Sequence, residues 1–448
     1  MFRNTKRGRL AVGAAVLASA ALALSACGGG SSDDDAPAKV DKGAVDSALE
    51  KGGEITVWAW EPTLKDVVPA FEKKYPNVKV KLVNAGTNND EYTALQNAVK
   101  AGKGVPDVAQ LEYYALPQFS LSKSVADLTS YGAADLDGTF TPGPWSSVKE
   151  GNKINALPMD SGPMALFYNK TIFDKHNIEV PTTWDEYVEA GEKLHKADPK
   201  AYITNDTGDA GMATSLIWQA GGQPYDVDGT DVSVDLTGDK GTETYAKTWQ
   251  KLLDDDLVAP VSSWSDEWYK GLGDGSIATL AIGAWMPANL ESGVAAAKGD
   301  WRVAPLPQWE EGDNASSENG GSSLAVTDAS DKKELAYAFT KFATVDQGVD
   351  IRVDQGAFPA TTATLEDDAF LGKESEYFGG QKINEVLAES AKNVRTGWKY
   401  LPFQVYANSV FNDTVGQAYS GKSTIEDGLK AWQEKSISYG EDQGFNVK

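Results

Sequence analysis

The segment from residue 54 to residue 111 alternates between strand-like and helix-like patterns, and this alternation constrains the fold most. Strands are predicted at 55–60, 78–83 and 107–111, where apolar residues run together or alternate with polar ones. Helices are predicted between them at 67–75 and 90–100, because apolar residues recur there at helical spacing. A βαβαβ order requires parallel strands covered by helices, so the chain is predicted to be an α/β protein.

The length of the chain indicates more than one hydrophobic core. At 448 residues it exceeds the size that one core serves well, so two or more lobes are expected. Strand and helix patterns continue through the second half without an internal repeat. One predicted helix, at 184–196, begins with a capping box formed by Thr183 and Glu186.

The first 27 residues have the pattern of an export signal. Basic residues precede an apolar run at 10–24, which is short for a membrane span, and Leu-Ser-Ala-Cys27 resembles a bacterial lipobox. We therefore expect a signal peptide at 1–26 and a lipid on Cys27 that holds the protein on the outer face of the membrane. The Ala- and Gly-rich signal favours a Gram-positive bacterium. An ordinary secretory signal or an uncleaved anchor is the alternative.

Residues 27–52 are predicted to be a flexible tether. They consist mainly of Gly, Ser, Asp, Ala and Lys, with almost no large apolar side chains that folding would bury.

Charge and composition exclude several functions. With 41 Lys and Arg against 65 Asp and Glu, the net charge of −24 argues against a nucleic-acid partner. Cys27 is the only cysteine, so its acylation leaves no thiol for a disulfide, a metal or catalysis. The only histidines, His176 and His195, are too few for a three-histidine zinc site. No metal and no cofactor is predicted.

A series of short motifs occurs in a characteristic order along the chain. These are residues 55–58, 71–80, 104–108, 163–170, 173–186, 221–222, 278–285 and 333–339. Together with the lipobox, they resemble bacterial extracellular solute-binding proteins of the maltose-binding type, the carbohydrate receptors of ABC importers. The resemblance implies a two-lobed, type II periplasmic-binding-protein-like fold, with parallel-sheet lobes, a hinge and a ligand cleft between the lobes. It also implies a monomer that docks on separate permease subunits.

The same resemblance implies that the chain crosses between the lobes more than once. We expect crossings near 160–165, 282–284 and 327–331. Lobe 1 is then predicted at 53–160 and 284–328, and lobe 2 at 161–283 and 329–448.

Candidate ligand-binding residues follow from the chemistry of sugars. Hydroxyl groups bind planar polar side chains, and the C–H faces of sugar rings stack on aromatics. Trp60 with Glu61 ends the first predicted strand, and Glu112 with Tyr113 follows the third; the carboxyl ends of such strands face the cleft. Trp60 as a core residue is an equal alternative. Asn88 and Asn89 are also candidates, although helix capping is the favoured explanation for them.

Further candidates lie near the predicted crossings. Asp160 precedes a turn at the first crossing, and Trp285 matches a position where the family stacks an aromatic on its ligand. Gly320 and Gly321 would let the backbone approach a ligand closely. Candidates in the second lobe, each of which a core or surface position also explains, are Asp209, Trp218, Trp264, Trp398 and Gln404.

Three hypotheses remain open from the sequence. A receptor that closes on an oligosaccharide explains the aromatic residues and the carboxylates together. A receptor for a polyol, a glycerol phosphodiester or a peptide is the alternative. A glycoside hydrolase is less favoured, because no acid and nucleophile pair stands out and the protein is expected not to be an enzyme.

Overall fold

A computed structural model describes residues 42–205 and 209–448. The predicted signal peptide, Cys27 and the tether residues before 42 lie outside the described residues, and their assignments stay predictions. Within the described part of the chain, no helix is both long and apolar enough to cross a membrane.

The structure is built from short strands and many helices. The strands are β1 (Gly53–Trp58), β2 (Val78–Val83), β3 (Val108–Glu112), β4 (Lys149–Glu150), β5 (Lys153–Ile154), β6 (Leu157–Pro158), β7 (Met164–Asn169), β8 (Tyr225–Asp228), β9 (Asp231–Val234), β10 (Thr279–Gly283), β11 (Trp301–Ala304), β12 (Ser322–Val326) and β13 (Asn446–Val447). The helices are α1 (Lys42–Lys51), α2 (Leu64–Lys74), α3 (Asn89–Ala101), α4 (Leu116–Leu121), α5 (Pro142–Ser147), α6 (Lys170–His176), α7 (Trp184–Ala197), α8 (Ala210–Gln219), α9 (Lys240–Asp254), α10 (Asp266–Asp274), α11 (Met286–Gly293), α12 (Lys333–Thr344), α13 (Gln347–Asp354), α14 (Thr362–Leu365), α15 (Asp368–Leu371), α16 (Ile383–Lys392), α17 (Gln404–Ser409), α18 (Gly416–Tyr419) and α19 (Ile425–Asp442).

The first sheet confirms the predicted βαβαβ order. Its strand order is β2-β1-β3-β12-β6, and β1 pairs in parallel with both β2 and β3. Helices α2 and α3 connect these strands, since parallel neighbours cannot be joined by a tight turn. β12 runs antiparallel to β3 and β6. The carboxyl ends of β1 and β3 therefore lie at the same edge of the sheet, where ligands bind in open α/β sheets.

The first core lies between this sheet and its helices. Val57 and Leu111 of the strands are fully buried, together with Phe71 of α2 and Phe339 of α12. The Phe71 and Phe339 rings meet edge to face with centroids 5.3 Å apart. Burial of each such side chain stabilises the lobe by about 1.5–3 kcal/mol, so α12 is an integral part of the first lobe.

The second lobe is centred on β7. This strand pairs with β10 and β11, both antiparallel to it, whereas the sequence analysis expected parallel sheets in both lobes. A strand buried on both faces has a run of apolar residues whether it pairs in parallel or antiparallel, so the sequence pattern could not show the direction of pairing. Two buried clusters flank the sheet, one around Trp184 and one around Trp301. Helix α7 begins with the predicted capping box of Thr183 and Glu186.

The buried clusters assign two segments differently from the sequence-based lobe boundaries. Residues 284–306 pack in the second-lobe clusters, and α12 packs in the first core. In this grouping β10 leads directly into α11 within one set of clusters, and residues 327–331 join β12 to α12 within the other. The lobe boundaries stay a prediction. The segments that connect the two sets of clusters are 159–163, 316–322 and 355–361, which we call the crossing segments.

The predicted tether is ordered at its end. Helix α1 occupies ten of its residues, and Val45, Ala48 and Leu49 pack, half-buried, against the first core. The spacing of three and four residues puts these side chains on one helix face. A few apolar residues at that spacing dock a helix even where the average composition is polar.

Candidate functional site

Gln110 of β3 joins the ends of the two neighbouring parallel strands. Its Oε1 accepts hydrogen bonds from the backbone N–H groups of Trp60 (3.1 Å) and Glu61 (3.0 Å). The Trp60 ring packs edge-on against Tyr92, with centroids 6.1 Å apart. Both predicted site residues are half-buried, so their side chains are held at the sheet edge and remain partly accessible.

Glu112 is the last residue of β3, and its carboxylate accepts several hydrogen bonds. Its Oε2 accepts from Asn88 Nδ2 at 2.5 Å and from the Tyr92 hydroxyl at 2.8 Å. Asn88 therefore serves this carboxylate and makes no side-chain capping bond to α3. Burial raises the pKa of Glu112 to about 7, against the lowering effect of hydrogen bonds from Tyr92, Tyr114 and Asn88. Near neutral pH this group can accept from a hydroxyl ligand or donate to it.

Asp160 lies on the first crossing segment and is tied to the second. Its Oδ1 accepts from the Ser322 N–H at 2.6 Å, and the Ser322 hydroxyl donates to Oδ2 at 3.2 Å. The Tyr113 hydroxyl donates to the Asp160 carbonyl at 2.6 Å. Burial raises the pKa of Asp160 to about 6, and the Arg352 charge partly offsets that rise.

The Tyr113 ring explains one of the predicted glycines. A Cβ on Gly321 would lie 2.6 Å from this ring, and the backbone of Gly321 has a φ of +88°. Only glycine adopts this conformation freely and allows so close an approach.

Glu318 belongs to the same site but was not identified from the sequence. Its carboxylate accepts from the Ser161 hydroxyl at 2.8 Å and from the Gly162 N–H at 2.5 Å. Burial raises the pKa of Glu318 to about 7. The one available signal was its position just before the Gly-Gly pair at 320–321. We call Glu112, Asp160 and Glu318 the carboxylate cluster, since the charge of Asp160 acts on both glutamates.

Two tryptophans of the second lobe meet the second crossing segment. The Trp285 and Trp264 rings stack with centroids 5.7 Å apart, and we call them the aromatic pair. Trp285 Nε1 donates to the Asn319 carbonyl at 2.8 Å. A Cβ on Gly320 would approach that Nε1 to 3.1 Å. The Trp264 side chain is 48% exposed, so part of its ring is open to solvent.

A second aromatic group includes two further predicted tryptophans. Trp218 and Trp398 stack almost parallel, with centroids 5.4 Å apart. Trp218 is buried and donates its indole N–H to the Arg395 carbonyl at 2.7 Å, so it supports the half-buried Trp398. A cavity of about 390 Å³ lies beside this stack; its lining includes Trp218, Gly221, Gly222, Gln223, Arg395 and Trp398.

Tyr400 links this aromatic group to the carboxylate cluster, and sequence reasoning missed it. Its ring lies 6.1 Å from that of Trp398 and also packs against the first core. Burial, followed by the negative charges of Glu318 and Glu112, raises the pKa of its hydroxyl. A tyrosine in a loop gives no periodic signal, so only the structure places it between the lobes.

Three further predicted residues lie at the N-terminal ends of helices. Asn89 is exposed in the first turn of α3. Asp209 is an exposed N-cap of α8 that accepts from the Gly211 N–H at 2.7 Å, the role for which Asp is preferred. Gln404 is buried and bonds the Leu401 N–H and Asn408 within its own lobe. Asp209 and Gln404 thus make local hydrogen bonds at helix ends, and the ligand contacts predicted for all three residues stay predictions.

The arrangement suits a polar molecule with apolar faces. Carboxylates on the sheet edge and the crossing segments offer hydrogen bonds to hydroxyl groups, and tryptophans of the second lobe offer flat apolar surfaces. Glu112 ends a strand of the first lobe, and the aromatic pair belongs to the second lobe. Among residues 42–205 and 209–448, no group of three or more His, Cys, Asp or Glu is placed to hold a metal ion.

A two-lobed α/β fold in which the chain passes between the lobes more than once is typical of hinged binding proteins. The chain matches the bacterial extracellular solute-binding protein family over residues 59–350, and it belongs to that family. The resemblance inferred from the sequence motifs is thereby confirmed.

Known structures and curated relatives agree with this assignment. The chain is 48% identical to an ABC transporter-associated binding protein of B. animalis subsp. lactis solved with β-1,6-galactobiose, covering 88% of this chain and 99% of that one, with a TM-score of 0.79. It is 28% identical to the galacto-N-biose/lacto-N-biose I-binding protein of Bifidobacterium longum, covering 89% and 99%, with a TM-score of 0.78. An arabinooligosaccharide-binding protein of Halalkalibacterium halodurans is 26% identical, covering 86% and 89%. The predicted two-lobed fold class is confirmed.

Proposed function

We propose that this protein captures an oligosaccharide outside the cell and delivers it to the permease of an ABC importer. Galactose-containing di- and oligosaccharides are the favoured class. One observation carries the proposal: Trp285 of the aromatic pair bonds the second crossing segment. The same segment holds Glu318 of the carboxylate cluster and Ser322, which bonds Asp160. The relative that shares 48% identity holds a galactobiose, which supports the choice of sugar.

Closure of the lobes would supply the capture mechanism. A sugar that touches the carboxylate cluster and the aromatic pair at once binds the closed state better than the open one, and so shifts the population towards closure. Tyr400 would complete the enclosure, because it contacts the first core from the second lobe. The closed form would then be the one that the permease recognises.

Lipid anchoring at Cys27 is part of the proposal. The apolar run and the Leu-Ser-Ala-Cys sequence support it. The test is metabolic labelling with a fatty acid in a Gram-positive host: wild type should incorporate label, and Cys27→Ala should release unlabelled protein into the medium. Equal labelling of both would refute the anchor.

The ligand is tested by isothermal titration of the mature chain with β-1,6-galactobiose, lacto-N-biose, arabinotriose and maltotriose. A bound sugar at a hundredfold excess over its dissociation constant stabilises the fold by about 2.7 kcal/mol, so a thermal shift serves as an independent readout. Binding of galactosides supports the proposal. Binding of a glycerol phosphodiester or a peptide, with no sugar bound, would replace it, and release of monosaccharide from a bound glycan would indicate a hydrolase.

A further inference from the structure

Arg352 is a buried cation beside the site that no sequence motif marks. It lies on α13 with only 1% of its surface exposed. Its Nη1 donates to the Met159 carbonyl at 2.5 Å, and its Nη2 lies 3.7 Å from Asp160 Oδ2. Within the described residues, its Nε and Nη2 make no hydrogen bond. A buried guanidinium with so few partners is costly, which points to a role other than stability.

The carboxylate beside Arg352 begins a chain of hydrogen bonds that ends at the sheet edge. Asp160 accepts from the Ser322 N–H and hydroxyl. The Ser322 hydroxyl in turn accepts from Gln110 Nε2 at 3.1 Å. Gln110 Oε1 then holds the N–H groups of Trp60 and Glu61. Displacement of the Asp160 carboxylate would therefore also move Trp60 and Glu61, which lie just beyond β1.

Arg352 also lies where all three crossing segments meet. Its guanidinium bonds the first segment at Met159, and Asp160 bonds the second at Ser322. Its own helix, α13, leads into the third, where the Phe358 carbonyl accepts from the Ser161 N–H at 3.4 Å. A single side chain thus helps to fix the relative positions of the segments that must move when the lobes open.

We infer that Arg352 is a positioning residue for sugar binding, which holds Asp160 in place and, through Ser322 and Gln110, sets the geometry of Trp60 and Glu61. The inference rests on the proposed function of this site. Arg352 makes no contact with the aromatic pair and does not line the cavity beside Trp398. Its effect on affinity is therefore transmitted through Asp160.

The electrostatic surroundings of Asp160 give this role a measurable signature. Arg352 on α13 favours the ionised carboxylate, whereas Glu61 after β1 opposes it, and the Asp160 charge also acts on Glu112, Glu318 and Tyr113. The pKa of Asp160 is about 6, so sugar affinity is expected to fall as the pH drops through that value. Loss of the Arg352 charge raises the pKa of Asp160 and moves the midpoint of this fall to higher pH.

The test is a double-mutant cycle on the mature protein, with the dissociation constant for β-1,6-galactobiose measured by titration between pH 5 and 8. Arg352→Met and Asp160→Asn should each weaken binding about tenfold, and the double variant should bind no more weakly than Asp160→Asn alone. Arg352→Lys should restore most of the affinity. Independent, additive losses, or an unchanged pH midpoint in Arg352→Met, would overturn the inference.

Controls separate this inference from the function on which it rests. Arg302 donates to the carbonyls of Gly299 (2.8 Å) and Trp301 (2.6 Å) in the second lobe, and Arg302→Met should leave affinity and pH midpoint unchanged. If wild type binds no sugar, the proposed function fails. The same cycle on the free energy of unfolding then decides whether Arg352 and Asp160 are coupled. Should Arg352→Met not fold, Arg352→Gln replaces it in both cycles, since it removes the charge and keeps an N–H donor for the Met159 carbonyl.

Discussion

The indole N–H of Trp285 donates to the Asn319 carbonyl at 2.8 Å, and this bond ties an aromatic side chain of the second lobe to the segment that leads back into the first. It uses the polar edge of the ring. The ring itself is apolar and half-buried, and one of its faces lies against Trp264. The orientation of a stacking surface is thus set by a backbone atom of a crossing segment.

Replacement of Trp285 tests whether this surface binds sugar. Trp285→Leu should weaken binding of β-1,6-galactobiose by about 1.5–3 kcal/mol, or roughly tenfold to a hundredfold, because the flat face and its buried area are lost. Titration calorimetry gives the change. Trp309→Leu is the matched control, since Trp309 is also half-buried but packs on Trp184, with centroids 5.2 Å apart. Equal losses in both variants would contradict a stacking role.

Gly321 is predicted to be irreplaceable for two separable reasons. Gly321→Ala should destabilise the fold, because an L-residue at a φ of +88° costs about 1–2 kcal/mol and the new Cβ meets the Tyr113 ring. Gly299 has a φ of +96° and no atom within 4 Å of an added Cβ, so Gly299→Ala measures the backbone cost alone. Urea denaturation should show the larger loss in Gly321→Ala. Equal losses would mean that the contact with Tyr113 relaxes freely.

Glu91 gives a pH dependence of stability that is separate from the site. It is fully buried in α3, and burial raises its pKa to about 8 against a smaller lowering effect of the Gln110 backbone. Because the folded-state pKa is above the usual 4.5, the folded state binds this proton more tightly, and stability falls as the pH rises from about 4.5 to about 8. Glu91→Gln should remove this slope, and its stability relative to wild type should be about 3–4 kcal/mol greater at pH 8 than at pH 5.

The measurement for Glu91 is the free energy of unfolding of wild type and variant at a series of pH values. Glu441→Gln, at an exposed glutamate of α19, should track wild type throughout. A difference between Glu91→Gln and wild type that stays constant with pH would show that Glu91 does not titrate in this range.

The parts of the fold that could be predicted from the sequence are those with a local pattern. The alternation in β1 to β3 and the capping box of α7 are set by neighbours in sequence, so both could be read directly. The antiparallel pairing of β7 with β10 and β11, and the packing of α12 on Phe71, depend on residues over a hundred positions apart. No local pattern carries that information.

In the candidate site, too, some residues could be proposed from local sequence and others depend on contacts between distant parts of the chain. Trp60, Glu61 and Glu112 could be proposed as site residues because strand ends are visible in the sequence. Glu318, Tyr400 and Arg352 were missed, because their importance comes from burial beside residues distant in the chain. Asp209 and Gln404 make local hydrogen bonds at helix ends, and their predicted ligand contacts stay predictions, since helix ends and ligand sites use the same polar side chains.

Helix α1 offers a direct test of where the folded domain begins. Leu49→Ala should destabilise the protein by about 1 kcal/mol, a fraction of the cost at a fully buried leucine, because Leu49 is half-buried against the first core. The neighbouring exposed Glu50→Ala should change stability by less than about 0.5 kcal/mol, as surface substitutions usually do. Chemical denaturation of the mature protein measures both. If Leu49→Ala is as stable as Glu50→Ala, α1 does not dock in solution, and the tether extends to residue 52 as its composition first indicated.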